Sequence, residues 1–443
     1  MRIIHTGDWH LNHKLGRIDM TEQLQIAIGR IAGYLKTKHA DVLIIAGDLF
    51  CGRESRSQLQ TSLEFLKKTF SPFLAEGGTI LTISGNHDSE AFFLTLRDAF
   101  DLVSPAREGI DGVHASGRLY IAPNPRVIKL RGHTGQVVQF ALMPFPTSRA
   151  YLLGEGTRYK SIEEKNTAVA SVYHQTLNKL ITDKIDMKLP SVLISHAQIR
   201  GVPISDLFVS GDEHDVLIDL TTLLAPFAYG AFGHIHRPGA IGQGGTHFRY
   251  CGSLLPLDAG EAGQEKSVVL IEVAQKGCVG EPELLPLEGA RLLDITIPAS
   301  EIDKLSGIYP NHKSELVKYR LRYDVEEHPD PFPLHQEIRA IFPFWYESLN
   351  EPYRQEDGDK EVDTGSVIRT GLDLKNLLGN VRDYLEKQAK YDGNDASGIE
   401  VLALVDTLFA NQSLVEALQD AHTTEKQVLA NVDLMTAFKG VCK

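Results

Sequence analysis

Apolar and polar positions follow two different periods along the first hundred residues. Arg2–Thr6 is a short apolar run that predicts a strand. Asp19, followed three residues later by Glu22, is a helix-start signal. Behind it Leu24, Ile28, Ile31 and Leu35 fall at i, i+4, i+7 and i+11, one buried helical stripe. Residues 41–46 (DVLIIA) read as a continuous apolar strand, Leu59, Leu63, Leu66 and Phe70 repeat the helical stripe, and Gly77-Gly78 punctuates before a strand over 79–84 (TILTIS). The β-α-β-α-β order predicts strands covered by helices in an α/β fold with right-handed crossovers.

Further strands are predicted over 137–143, 191–195, 229–232, 247–251 and 267–273, with a long helical stretch over 161–184. Pro282, Pro286 and Gly289 then interrupt the pattern, which sets the first domain at residues 1–285. A smaller unit at 286–350 carries predicted strands over 292–297 and 317–323 and a helix over 335–341. The polar, acidic stretch that follows (EPYRQEDGDKEVD) reads as a linker at 351–365. Helical periodicity returns at 366–443, with Leu374, Leu377, Val381 and Leu385, then Ile399, Leu402, Val405 and Phe409. At roughly 100–200 residues per domain, a chain of 443 residues accommodates two or three domains.

Composition changes this picture in three places. No run of ~18 apolar residues exists, so no spanning helix is expected. The first residues reach charge and polarity too soon for a secretory segment, and the four cysteines (Cys51, Cys251, Cys278, Cys442) form no C-x-x-C pair. Both features predict a cytoplasmic protein with reduced thiols rather than a disulfide framework or a zinc knuckle. The net charge of −13 argues against a strong stand-alone DNA binder, because such binding rests on neutralising phosphates with Lys and Arg.

Five short polar blocks each follow an apolar strand: Gly7-Asp8-Trp9-His10, Gly47-Asp48-Leu49-Phe50, Gly85-Asn86-His87-Asp88, Ser195-His196-Ala197 and Gly233-His234-Ile235-His236. Ligands of open α/β sheets bind beyond the carboxyl ends of strands, so all five can converge on one edge. Carboxylates, imidazoles and one amide oxygen suit manganese, iron or zinc, and the lack of thiolates argues against a structural zinc. Asp8 and His10 are two apart at a strand end and leave on one face, as do His234 and His236. Asp8, His10, Asp48, Asn86, His196, His234 and His236 are too many ligands for one ion that must also admit substrate. They fit two ions ~3.5–4 Å apart bridged by a carboxylate. Singly, each block is a commonplace loop or turn. It is their joint occurrence on strand ends that points to a metal centre.

The five blocks resemble the calcineurin-like metallophosphoesterase superfamily. The longer matches Gly47-Asp48-Leu49-Phe50, Gly85-Asn86-His87-Asp88-Ser89, Gly233-His234-Ile235-His236-Arg237 and Tyr250-Cys251-Gly252-Ser253 resemble the nuclease subunits of SbcCD-type complexes. The resemblance covers about residues 1–275 and continues more weakly over the small unit. It implies a two-sheet α/β/β/α sandwich, a small α+β capping domain and a C-terminal helical segment. It also implies one metal held by Asp8, His10 and His236, a second by Asn86, His196 and His234, and Asp48 bridging both. His87 would stand near the scissile phosphate as a catalytic residue, with Asp88 orienting its ring. Manganese-dependent exonuclease activity on duplex ends and endonuclease activity on single strands or hairpins are implied too. Two departures stand out: Cys51 where these subunits usually carry aspartate, and Leu254-Leu255-Pro256-Leu257-Asp258 after Gly252-Ser253.

Lys14, Arg17, Arg53, Arg56 and Arg237 lie close in sequence to the metal blocks and are candidate DNA-phosphate contacts as a group. The resemblance further implies that Leu374, Leu377, Val381 and Leu385 lie on a helix that grips an SMC-like ATPase of the SbcC type, a helix-in-groove contact. Such a partner would supply the DNA affinity that an acidic nuclease lacks. Homodimers are common in the family as well. A protein phosphatase of this superfamily is disfavoured by Gly52, where those enzymes carry arginine, and by Asp88 in place of glutamate. The remaining alternatives are a small-molecule or cyclic-nucleotide phosphodiesterase, and a non-catalytic scaffold.

Overall fold

The computed structural model describes residues 1–354 apart from 53, 105–107, 110, 152–158, 203–215, 220–225, 243–246, 288 and 290. Arg53, Cys442 and the stretch carrying Leu374, Leu377, Val381 and Leu385 lie outside the described residues.

The chain opens with β1 (Arg2–Thr6), α1 (Thr21–Thr37), β2 (Val42–Ile45), α2 (Arg56–Ala75), β3 (Thr79–Ile83), α3 (Glu90–Val103) and β4 (Leu119–Ala122). The four strands run parallel in that order, with Ile4 opposite Leu43, Ile44 opposite Leu81 and Leu81 opposite Tyr120. A second set follows: β5 (Arg126–Arg131), β6 (Val137–Met143), α4 (Ile162–Lys184), β7 (Ser191–His196), β8 (Tyr229–Gly233) and β9 (Phe248–Tyr250). Here β6 to β9 are parallel and β5 closes the edge antiparallel to β6. The chain then returns to the first sheet, where β10 (Ser267–Ala274) pairs antiparallel with β1 and β11 (Glu283–Pro286) with β10.

Side-chain alternation explains why the sheets stack. Ile3, Val42, Ile44, Leu81 and Ile83 of the first sheet pack against Phe140, Leu142, Val192, Ile194 and Tyr229 of the second. Their neighbours one residue along point the other way: Ile4, Leu43 and Ile45 meet Leu24, Ile28, Ile31 and Leu35 of α1. On the far side Ala141, Leu193 and Phe232 meet Tyr173 and Leu177 of α4. The result is the α/β/β/α sandwich. Strands covered on both faces must be apolar throughout, which is why Val42–Ile45 reads VLII and is buried at every position.

Helix starts follow local chemistry. Ser55 and Gln58 form a reciprocal capping box on α2, and the Ser161 hydroxyl accepts the Glu164 N–H at 3.1 Å on α4. The start of α1 differs from expectation. Met20 is its N-cap and the Asp19 carboxylate accepts the Thr21 N–H at 2.9 Å from outside the helix, because Asp19 is held in a two-stranded hairpin with Lys14.

Further along come β12 (Leu292–Pro298), β13 (Leu316–Asp324), α5 (Phe332–Ile341) and β14 (Trp345–Tyr353), with the strands in one sheet in that order. The last strand lacks a strict apolar alternation and was not expected. It reaches Tyr353, three residues into the stretch read as linker. Among the described residues no helix is long and apolar enough to cross a membrane.

Candidate metal centre

Each of the five blocks sits at or just past the carboxyl end of β1, β2, β3, β7 or β8, and their side chains converge. The local backbone is unusual. Asp8 (φ 50°), His10 (φ 44°), Asp48 (φ 49°) and His234 (φ 96°) all occupy positive φ. For residues with a side chain this costs on the order of 1–3 kcal/mol each and persists only where surrounding contacts hold it. Those contacts are present. The Asp8 N–H donates to Gly47 O at 3.0 Å and the His10 N–H to Asp48 O at 3.0 Å. The His234 N–H donates to the Asp8 carboxylate at 2.9 and 3.2 Å, and the His87 N–H to Asp48 Oδ1 at 2.8 Å. Gly47 and Gly85 permit the crowding: a Cβ on the first would strike the His196 ring, and on the second the Asp48 carboxylate.

Asp48 lies at the middle. Its Oδ2 is 3.5 Å from His10 Nε2 and 3.4 Å from His196 Nε2. On one side His10 Nε2 faces His236 Nε2 at 3.1 Å, and Asp8 Oδ1 is 4.0 Å from that same His236 atom. On the other, Asn86 Oδ1 is 2.9 Å from His196 Nε2 and 3.0 Å from His234 Nδ1. Donor atoms of Asp8, His10 and His236 all lie within 4.8 Å of one another, as do those of Asp8, Asp48 and His196. The His87 ring stands exposed at the rim, its centroid 4.9 Å from that of His10.

Burial is the largest influence on these groups. It holds His10 well below the ordinary histidine range and brings His234 down to about 3, so both rings are neutral with a lone pair to offer. At His196 burial acts the same way, but the pull of Asp48 and Asp8 outweighs it and lifts its pKa to about 9. The reciprocal attraction keeps Asp48 below the carboxylate range despite its burial. His196 Nδ1 donates to Ala46 O at 2.7 Å, so its other nitrogen is the one aimed at Asp48 and Asn86. His10 Nε2 and His236 Nε2, two ring nitrogens 3.1 Å apart, need a proton or a cation between them. The donor set is therefore suited to divalent cations.

Two sequence expectations change. The bonds Asp88 makes are to the main chain and not to the His87 ring: its buried carboxylate accepts the N–H groups of Gly85 (2.9 Å), Phe50 (2.9 Å) and Leu49 (3.2 Å), stitching the loops after β2 and β3 together. All three of these donors are backbone N–H groups of the two loops, and none is the His87 ring. Arg17 is committed elsewhere: its guanidinium lies 4.2 Å over the Trp345 ring and donates to Trp345 O and Pro343 O at 3.2 and 3.3 Å. It clasps the hairpin to the start of β14. Lys14, Arg56 and Arg237 are exposed. Glu261 was missed altogether. It accepts from His236 Nδ1 at 2.9 Å although 25 residues separate them, and no periodicity marks it. His13, also unmarked, donates to Leu257 O at 3.2 Å beside His10.

Strand-end ligands on a two-sheet α/β/β/α sandwich define a metallophosphoesterase. Residues 1–238 match the family described as calcineurin-like phosphoesterase, and the chain belongs to that family, whose members use divalent metals. Among curated proteins it is 28% identical over 281 residues to SbcD, the nuclease subunit of SbcCD, from Escherichia coli (strain K12), covering 61% of this chain and 64% of that protein. It is 25% identical over 331 residues to the SbcD of Staphylococcus epidermidis, covering 72% and 76%. A third alignment, to the SbcD of Staphylococcus saprophyticus, is 22% identical over 391 residues and covers 86% and 92%. The match to the Escherichia coli protein thus spans a little under two thirds of its length.

Proposed function

We propose that the chain is a two-metal DNA nuclease that hydrolyses phosphodiester bonds at DNA ends and hairpins, as the nuclease subunit of an SbcCD-type complex. The observation that carries this is the convergence of seven donor side chains with Asp48 at their centre and His87 exposed at the rim. The likeness to SbcD proteins supports the choice of substrate. Asp8, His10 and His236 would hold one ion, Asn86, His196 and His234 the other, and Asp48 both, with manganese the proposed metal. Bound there, such ions supply Lewis acidity to the phosphate and lower the pKa of a water to near neutrality.

The chain's own groups do the rest. Neutral His10 and His234 keep the donor geometry without adding charge that would repel a cation. Asp88 braces the loops after β2 and β3 and so sets the spacing of Asp48 from Asn86 and His87. His87 at the rim carries the proton for the departing sugar oxygen. General acid help of this kind contributes ~10²–10⁴ in rate. The surface cations Lys14, Arg56 and Arg237 would steady the phosphate backbone without reading sequence. Residues 1–285 would form the nuclease domain, 286–350 the cap, and 351–365 a link to a partner-binding segment at 366–443.

The test is cleavage of end-labelled duplex and hairpin DNA with manganese, beside His87→Ala. Manganese-dependent cleavage that falls ~10²–10⁴-fold in the variant, with metal content unchanged, is the expected result. A His87 variant of full activity would remove that residue from the mechanism. Hydrolysis of a generic bis-phosphodiester without any DNA cleavage would instead assign a small-molecule phosphodiesterase. For the partner, deleting residues 366–443 should abolish co-elution with the SMC-like ATPase, and unchanged co-elution would refute the assignment.

A further inference from the structure

Behind His236 stands a buried polar cluster that no step above uses. Glu261 (2% exposed), Ser253 (0%) and Lys266 (5%) come from the loop between β9 and β10 and from its end. Glu261 divides its oxygens: Oε1 accepts from His236 Nδ1 at 2.9 Å, and Oε2 accepts from the Ser253 hydroxyl at 2.7 Å and from the Lys266 ammonium. Lys266 donates in turn to His236 O at 3.0 Å and to Gln264 Oε1 at 3.0 Å. The ring and the main chain of His236 are thus gripped by one ion pair.

A buried Glu–Lys pair by itself adds little to stability, since desolvation offsets the attraction. Its geometry here is directed: one carboxylate oxygen is reserved for the ring nitrogen turned away from His10. With Nδ1 donating, the proton of a neutral ring is fixed on that side and the Nε2 lone pair points at Asp8 and His10. The other ring with a fixed Nδ1 donation, His196, leans on the neutral carbonyl of Ala46. His234 turns Nδ1 itself toward Asn86. Asp258, Glu261 and His236 also lie close enough to suggest a third cation position. The Lys266 ammonium already supplies the positive charge there, and both Glu261 oxygens already accept hydrogen bonds.

We propose that Glu261, anchored by Ser253 and Lys266, is a positioning residue that fixes the tautomer and aim of His236 and selectively tightens the ion held by Asp8, His10 and His236. The proposal rests on the metal-centre reading above. Carboxylate partners behind metal-bound histidines typically account for ~10–100-fold in metal affinity. Among the described residues, Nδ1 of His196 faces Ala46 O and Nδ1 of His234 faces Asn86 Oδ1 rather than a carboxylate, so the two positions would differ in affinity because of the Glu261 contact.

Manganese titration of the full chain by calorimetry, with electron paramagnetic resonance of the same samples, tests it. The wild type should take up two ions and show the broadened signal of a coupled pair. Glu261→Gln should weaken one ion ~10–100-fold and leave the other unchanged, giving the six-line signal of isolated manganese at intermediate metal. The double variant Glu261→Gln with Lys266→Met, which strands no buried ammonium, should show the same loss. Wild-type affinity for both ions in either variant overturns the proposal. So does equal loss of both ions together with a lowered melting temperature, which would make Glu261 structural. A wild type that binds no ion would instead fail the metal-centre reading itself.

Discussion

Asp48 shows how much one residue can be asked to do. Its Oδ2 stands about equally far from His10 and His196, its Oδ1 takes the His87 N–H, and its own φ is positive. Asp48→Ala should therefore take both ions away rather than one, lowering metal content from two per chain to below one by elemental analysis. Retention of a single tight ion would show that Asp48 does not bridge. At this scale the proposed ligands were legible, because strand-end blocks of Asp, Asn and His are rare in combination. The groups that support them were not. Asp88 was read as orienting the His87 ring and Glu261 was not marked, because only the folded chain brings Phe50 N–H to the one and His236 Nδ1 to the other. Arg17 is the converse, a surface cation by sequence whose donors the fold commits to Pro343 and Trp345.

Elements carry a second lesson, visible in β7. Leu193 and Ile194 are both fully buried, yet Leu193 faces α4 and Ile194 the space between the sheets. His196, at the end of the same strand, takes its place from this register, opposite Gly233 at the end of β8. Ile194→Ala should cost about 2–5 kcal/mol, because the inter-sheet layer is walled by two rigid sheets and cannot collapse into the void. Urea denaturation measures this, and a loss under about 1 kcal/mol would mean that the layer relaxes. Helical stripes and apolar strands such as β2 were readable from periodicity alone. The strand β14 was not, because Glu347, Asn350, Glu351 and Pro352 interrupt any alternation. The start of α1 was misplaced by one signal: Asp19 does accept a helix N–H, but from the hairpin that precedes the helix.

At the scale of the whole molecule, the interior excludes charge strongly enough to set a pH limit. His5 in β1 is fully buried, with Nδ1 2.9 Å from the Tyr229 hydroxyl. Burial first, and Arg249 second, lower its pKa from 6.5 to about 3. The unfolded chain takes up this proton near pH 6.5 and the folded one only near 3. Stability is therefore full above the upper value and is lost as pH falls through the window, by on the order of 4–5 kcal/mol at its lower end. Denaturation at pH 7, 5.5 and 4.5 should show a flatter dependence in His5→Gln, and identical slopes would discount His5. The net charge of −13 acts at the same scale: it leaves DNA affinity to local groups or to a partner. What the sequence by itself determined is whatever depends on neighbours in the chain: the apolar strands, the helical stripes and the residue types of the metal blocks at strand ends. Only the tertiary structure decided which oxygen faces which nitrogen, that Asp88 braces loops, that Arg17 clasps the start of β14 and that Glu261 stands behind His236. The contacts of Glu261 with His236 and of Arg17 with Trp345 join atoms 25 and 328 residues apart, and such contacts exist only once the chain has folded and brought distant elements together.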